Sequence, residues 1–283
     1  IPQYDCIELR RARTLNGLMC ANAKVVWRKH KTGEMGSHIW APELHRINDK
    51  WYIYFTAGDS EQIWDIRPYL LECSGNDPMS DDWTERGRII LPEESFSLDM
   101  TTFVHKGVQY CAWAQKGREY DGASVIYLSR MKDPHTLDGE PILLTAPEYD
   151  WECQGFKVNE GPAVLIRNGK VIITYSASDT GWRYCMGMVW ADENANLLDK
   201  ASWHKSSKPV FKTSVENGQY GPGHNCFTVD GERDVMIYHS RNYKEIKGDP
   251  LDDPNRHARA KVFEYDENGL PLFGEPVPDT ETE

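Results

Sequence analysis

Glu160 stands in Lys157-Val158-Asn159-Glu160-Gly161-Pro162, directly ahead of an apolar stretch at 163–166 and its return at 171–175. A carboxylate at the mouth of a buried strand is either a solvated strand end or a group held for proton transfer, and one copy does not separate the two. The pattern recurs. Trp40 leads into 43–47 and 51–55, Asp99 into the run ending at 108–113, and His224 into the run ending at 235–238; the four leading residues lie 59, 61 and 64 positions apart. Two carboxylates, an imidazole and an indole brought to one concavity make an acid–base hydrolytic site.

The elements that must position these residues are short β-branched strands in pairs. Asn168-Gly169 between 163–166 and 171–175 is the dipeptide that a tight type I′ hairpin prefers. Each unit also carries a later strand, at 7–10, 69–72, 125–128, 186–189 and 261–264, and the first four are followed by a Trp just before the next inner strand, at Trp27, Trp83, Trp151 and Trp203. A period near 60 residues built of strand pairs is a repeat architecture, and the one assembled from four-stranded sheets is the toroidal propeller. The expected fold is therefore all-β, a five-bladed β-propeller whose first blade is incomplete. Its blades fall at about 1–39 (partial), 40–98, 99–159, 160–223 and 224–283. No linker interrupts the repeats, so 1–283 reads as a single domain; the one helix-like stretch is 194–202.

The charge, 32 − 44 = −12, is offset by no basic cluster, which excludes a nucleic-acid or anionic-membrane surface and suits a neutral or cationic ligand. Ten Trp and 14 Tyr against eight Phe favour rings with a polar handle, suited to strand packing and to stacking on a sugar. The seven Cys are odd in number and scattered, without metal-ligand spacing, and favour a reduced compartment. No run is long and apolar enough to span a membrane, and no signal peptide is visible. Both a cytoplasmic and a secreted location stay open.

Four strings occur in order along nearly the whole chain: Ile39-Trp40-Ala41-Pro42-Glu43-Leu44-His45, Ser97-Leu98-Asp99, Val158-Asn159-Glu160-Gly161-Pro162, and Tyr220-Gly221-Pro222-Gly223-His224-Asn225 with His239-Ser240-Arg241. At these residues the chain resembles glycoside hydrolase family 43, the five-bladed propeller family of arabinofuranosidases, arabinanases and xylosidases, and most of all its exo-acting α-1,5-L-arabinofuranosidases. The resemblance implies an inverting hydrolase with Glu160 as general acid and Asp99 as the carboxylate that raises and orients that acid. It gives Arg241 to sugar binding and places His224 at the channel centre, beside calcium or another ion held through water, with no cofactor required. Trp40 reads as a wall of the sugar pocket, and Glu43, inside the hairpin entry, as a structural hydrogen-bonding group. For Asp99 a strand-turn cap, and for His224 a satisfied core histidine, are the alternatives.

The family's general base is an Asp on the innermost strand of the first blade, which the repeat count finds missing. Asp5 leads straight into a later strand and stands in the wrong place. No residue here is assigned as base; the natural protein is expected to begin roughly 20–30 residues earlier, about two strands and a hairpin, and to carry the base there. The expected reaction is release of terminal L-arabinofuranose from α-1,5-arabinan, arabino-oligosaccharides or arabinoxylan, that is, arabinan degradation. A β-xylosidase or endo-arabinanase on the same scaffold, and a non-catalytic carbohydrate-binding propeller, are the competing readings.

Overall fold

The computed structural model describes residues 4–117 and 120–279. These divide into two compact units, one formed by the described residues up to Trp113 with Ser129–Glu140, the other by Ala114–Leu128 with the chain from Pro141 onward. The first holds β1 (Cys6–Leu9), α1 (Leu15–Cys20), β2 (Lys24–Arg28), β3 (Ser37–Ile47), β4 (Lys50–Gly58), β5 (Arg67–Cys73), β6 (Trp83–Arg88) and β7 (Ser97–His105). The division then passes through β8 (Val108–Gln115), β9 (Val125–Asp133) and β10 (Thr136–Thr145). The second unit continues with β11 (Asn159–Arg167), β12 (Lys170–Ala177), β13 (Cys185–Asp192), β14 (His204–Lys205), β15 (Tyr220–Asp230), β16 (Arg233–Arg241), β17 (His257–Val262), β18 (Glu264–Tyr265) and β19 (Pro271–Leu272).

The strands are antiparallel meanders because their connections are tight turns. Asn48-Asp49, Lys106-Gly107 and Asn168-Gly169 all have positive φ at both positions, the type I′ geometry that matches strand twist. The second strand of a meander is covered on both faces and therefore reads as a continuous apolar run: β4 is buried from Tyr52 to Gly58, and β12 from Val171 to Ala177. In the first unit Ile53, Phe55, Tyr69 and Leu71 pack with Ile7 and Trp27; in the second, Leu165, Ile172, Met186 and Met188 pack with Phe211, Met236, Phe263 and Phe273. Truncating Ile53 or Ile172 to Ala would cost about 2–5 kcal/mol, the lost transfer energy plus a cavity.

The protein is all-β, with blade-like meander sheets, but four of them and not the five expected. Sheets β3–β6, β7–β10 and β11–β14 have four strands each and β15–β17 has three; β1 and β2 pair only with each other among the described residues. The first expected unit lacks inner strands, and a two-stranded ladder is not a blade. The recurrent tryptophans also differ from expectation. Trp27 lies within β2, Trp83 heads β6 and Trp203 precedes β14, so these mark outermost strands, whereas Trp151 lies in a 3-10 turn at Asp150–Glu152. Of the stretch 194–202, only Lys200–Ser202 winds, as a 3-10 turn capped by Asp199. The helix that forms instead is α1, capped by Thr14, whose hydroxyl accepts the Gly17 N–H at 3.1 Å.

Candidate functional site

Glu160 is the second residue of β11, paired with Ser176 of β12 just before the register shifts to Ala163 opposite Thr174. The bulge is made by Gly161, at φ +55°, and a Cβ there would meet the His224 ring at 3.1 Å. The backbone thus lets imidazole and carboxylate approach, with ligand atoms of Glu160 and His224 within 4.8 Å of one another. Ser176, opposite Glu160, accepts the His224 backbone N–H on its hydroxyl at 2.7 Å. Tyr184 donates its phenol O–H to Glu160 Oε1 at 2.7 Å. That ring is 1% exposed, stacks on His239 with centroids 5.6 Å apart, and lies where any Cβ on Gly223 would intrude.

The residue before the carboxylate is locked by a buried charge. Asn159 donates from Nδ2 to Glu152 Oε1 at 3.0 Å and accepts from Thr145 at 3.2 Å, while its backbone bonds Ser124 in both directions. Glu152 is 0% exposed, and its carboxylate also accepts from Tyr175 Oη at 2.8 Å, from the backbone of Glu148 and Tyr149 at 2.8 and 3.0 Å, and from Lys205 Nζ at 2.9 Å. With this many donors a buried carboxylate is fully satisfied. Burial, then the charge and hydrogen bond of Glu152, hold the Tyr175 phenol well above its usual pKa, so it remains a donor.

Arg241 ends β16 opposite Tyr220 and is 1% exposed. Its fork donates to the carbonyls of Thr180 at 2.8 Å and Pro250 at 2.9 Å, and Nε stands 3.3 Å from Asp253. Burial is the main cause that lowers its pKa from the usual arginine range, with Arg256 adding to it and Asp253 opposing. His239 lies between Tyr184 and His224; both of its ring nitrogens are shielded and make no hydrogen bond. Burial, then the charges of Arg256 and His224, push its pKa well below the usual value, so the ring is a neutral packing surface.

Trp40 and Asp99 belong to the first unit. Asp99 is 5% exposed at φ +55°, and its N–H donates to Thr56 Oγ1 at 3.1 Å; Thr56 is the ladder partner of Trp40. The half-buried Trp40 ring lies 4.6 Å from His38 and 6.1 Å from Trp64, centroid to centroid. Glu43 bonds His45 at 2.8 Å, a local structural contact. The four leading residues are not one register: the positions with positive φ are Ala41, Asp99, Gly161 and His224, so Trp40 and Glu160 sit one residue earlier in their strands than Asp99 and His224 do. Sequence reasoning missed Tyr184 and Glu152, and it gave His239 no role of its own. No strand pattern or motif singles out Glu152, which lies in a 3-10 turn.

For an ion beside His224, the second unit contributes one imidazole and the neighbouring Glu160 carboxylate. Calcium takes six to eight oxygen ligands, and this pair by itself falls short of such a cage.

The sequence matches the family described as Glycosyl hydrolases family 43 over residues 1–271. It is 52% identical over 281 residues to an extracellular exo-alpha-(1->5)-L-arabinofuranosidase of Streptomyces avermitilis, covering 99% of this chain and 58% of that protein. It is 46% identical over 285 residues to alpha-L-arabinofuranosidase 43 of Humicola insolens, covering 100% of this chain and 59% of that protein. The chain therefore spans little more than half the length of these relatives. A crystal structure of alpha-L-arabinofuranosidase from Lactobacillus brevis superposes with a TM-score of 0.96 at 50% identity, covering 100% of this chain and 90% of that one. The word extracellular in the Streptomyces name gives the cytoplasmic expectation no support. Cys73, Cys111 and Cys185 are buried free thiols that act as small apolar residues, so cysteine usage reports packing here and not compartment. Matched over residues 1–271, nearly its full length, the chain belongs to glycosyl hydrolase family 43.

Proposed function

We propose that the protein is an inverting, exo-acting α-L-arabinofuranosidase that releases terminal L-arabinofuranose from α-1,5-arabinan, arabino-oligosaccharides or arabinoxylan. The observation that carries this reading is the 52% identity, over 99% of the chain, to a protein named for that activity. Residues 1–283 act as its catalytic domain, and the protein works outside the cell on arabinose-containing carbohydrate.

Glu160 protonates the glycosidic oxygen as the bond to the leaving group breaks. The Tyr184 phenol donates to Glu160 Oε1 and so helps to hold the carboxyl group in one orientation. Asp99 is assigned the neighbouring negative charge that keeps Glu160 protonated near neutral pH. Inversion needs a water on the far face of the sugar, activated by a carboxylate roughly 6.5–9.5 Å from the acid. No residue of this chain is assigned that base. Trp40 walls the first sugar, Arg241 fixes the loop at Thr180 while serving the sugar hydroxyls, and His224 closes the floor beside Gly161. Family 43 glycosidases generally need no cofactor. A calcium or other ion, when bound, would be held beside His224 through water and would supply positive charge to the site.

Incubation with arabinotriose, followed by NMR of the first-formed product, tests the reading. Stepwise appearance of β-L-arabinofuranose from an α-linkage is expected. Retained anomeric configuration, release of xylose from xylobiose in its place, internal cleavage of arabinan, or sugar binding without hydrolysis would each refute it.

A further inference from the structure

Trp64, in the connection between β4 and β5, leaves 56% of its surface in water. The connection that presents it is pinned at both ends. Asp59 accepts the N–H groups of Glu61 and Gln62 at 2.7 and 3.1 Å, and Ser60 exchanges hydrogen bonds with Gly33 at 2.9 and 2.8 Å. Gly36 donates to the Gly58 carbonyl at 3.0 Å, and Ser97 to the Ile66 carbonyl at 3.1 Å. A ring held this way loses little freedom on binding a ligand, which is how an exposed aromatic contributes affinity.

The indole also continues an aromatic surface. Its ring lies 5.0 Å from His38 and 6.1 Å from Trp40. It stands at the same strand ends as Asp99, because Ile66 bonds Ser97 and Thr56 bonds Asp99. Asp59, Glu61 and Asp65 flank it in sequence. Carboxylates on such a rim accept hydrogen bonds from hydroxyls and repel anions, while the indole face takes an apolar C–H surface. A neutral polyhydroxylated ring meets both conditions.

We propose that Trp64 is the stacking platform for the second furanose ring, the leaving-group sugar, of an α-linked arabino-oligosaccharide. The proposal rests on the arabinofuranosidase reading and adds to it the side chain that selects an oligosaccharide over a simple glycoside. Stacking is made in both the ground state and the transition state, so its loss raises KM and leaves kcat nearly unchanged.

The test compares Trp64→Ala and Trp64→Phe with wild type on arabinobiose and on methyl α-L-arabinofuranoside, whose leaving group has no ring to stack. Trp64→Ala is expected to raise KM for arabinobiose about tenfold, equivalent to about 1.4 kcal/mol, with kcat within about twofold and the methyl glycoside unaffected. Trp64→Phe keeps a ring and should recover most of the loss. An unchanged KM for arabinobiose in an otherwise active enzyme overturns the platform alone, as does an equal loss on both substrates, the mark of a structural role. A wild type that releases arabinose from neither substrate overturns the hydrolase reading and the platform together.

Discussion

Removing the Lys205 ammonium alone should damage the protein more than removing both charges of the Lys205–Glu152 pair while keeping an acceptor at position 152. Glu152 is 0% exposed and Lys205 is 12% exposed in its side chain, so both charges are largely withdrawn from water. Lys205 sits 2.9 Å from the carboxylate, donates to the Ala146 carbonyl at 2.6 Å, and has its ammonium 5.4 and 5.6 Å from the centroids of the Tyr149 and Tyr175 rings. Breaking a buried pair from one side leaves the other charge uncompensated, at about 3–5 kcal/mol. Replacing both by apolar groups of similar volume removes the desolvation penalty along with the attraction, and is close to neutral in favourable cases. Here the change at position 152 has to keep an acceptor, as Glu152→Gln does, because an apolar side chain would strand the donors of Asn159, Tyr175 and two backbone amides, at about 1–3 kcal/mol each where no water enters.

The expected order of urea midpoints is therefore wild type, then Glu152→Gln, then Lys205→Met, with Lys205→Met/Glu152→Gln above the midpoint that the sum of the single losses gives. Equilibrium unfolding followed by tryptophan fluorescence gives the midpoints, and the coupling energy comes from the cycle. The same locking of Asn159 holds Glu160, so Glu152→Gln should lower kcat on arabino-oligosaccharides more than it raises KM. Strict additivity of the two single changes, or a Lys205→Met midpoint equal to wild type, would refute the argument that this carboxylate depends on its ammonium.

Glu160→Gln should cut release from arabino-oligosaccharides by about 10²–10⁴-fold, with a smaller loss on an activated aryl arabinofuranoside; equal losses on both count against the acid assignment. Asp99→Asn and Tyr184→Phe should move the basic limb of the pH–rate profile in opposite directions: losing a neighbouring negative charge lowers the pKa of the acid, and losing a donor to its carboxylate raises it. Shifts of the same sign would break the assignment of one of them. His239, neutral in the fold because its pKa is held well below the usual 6.5, penalises the native state once the unfolded chain binds its proton. Stability should accordingly be full above about pH 6.5 and fall below it, and His239→Phe, which keeps the stack on Tyr184, should flatten that fall in urea midpoints measured from pH 7 to 5.

What the sequence made legible were features encoded by neighbours in the chain. Asn168-Gly169 specifies its turn through two residues that tolerate positive φ, and Glu160 stands out because an apolar hairpin follows it at once. Tyr184 and Glu152 were not legible as partners of the site. The first reaches Glu160 from 24 positions away through the β12–β13 connection, and the second acts on Asn159 from seven positions away through a turn that carries no strand pattern. The count of blades failed for a related reason: the later strand expected at 7–10 looks like the rear of a blade, but pairing decides the sheet, and among the described residues β1 pairs only with β2. Helix α1 buries none of its residues, so no apolar periodicity could announce it.

The one-residue slip between the leading positions follows from the bulges and explains how such different side chains occupy one repeat. In each unit a hydroxyl on the second strand of one sheet receives the backbone N–H of a positive-φ residue near the start of the following sheet's first strand: Thr56 receives Asp99, and Ser176 receives His224. Each of those hydroxyl residues is also the ladder partner of the residue just before a positive-φ position, Trp40 in one case and Glu160 in the other. The unit thus fixes two kinds of position, one at φ > 0 whose backbone is tied to the preceding sheet, and one just ahead of it whose side chain is set by the ladder. Ala41 and Gly161 fill the first kind with almost no side chain and leave the second to Trp40 and Glu160; Asp99 and His224 do the reverse. An Asp or His in the left-handed region carries strain that a glycine would not. Accepting it at Asp99 and His224, while holding the backbone with a single hydroxyl, places a functional group where a larger residue on the other register would collide, as a Cβ on Gly161 would with His224.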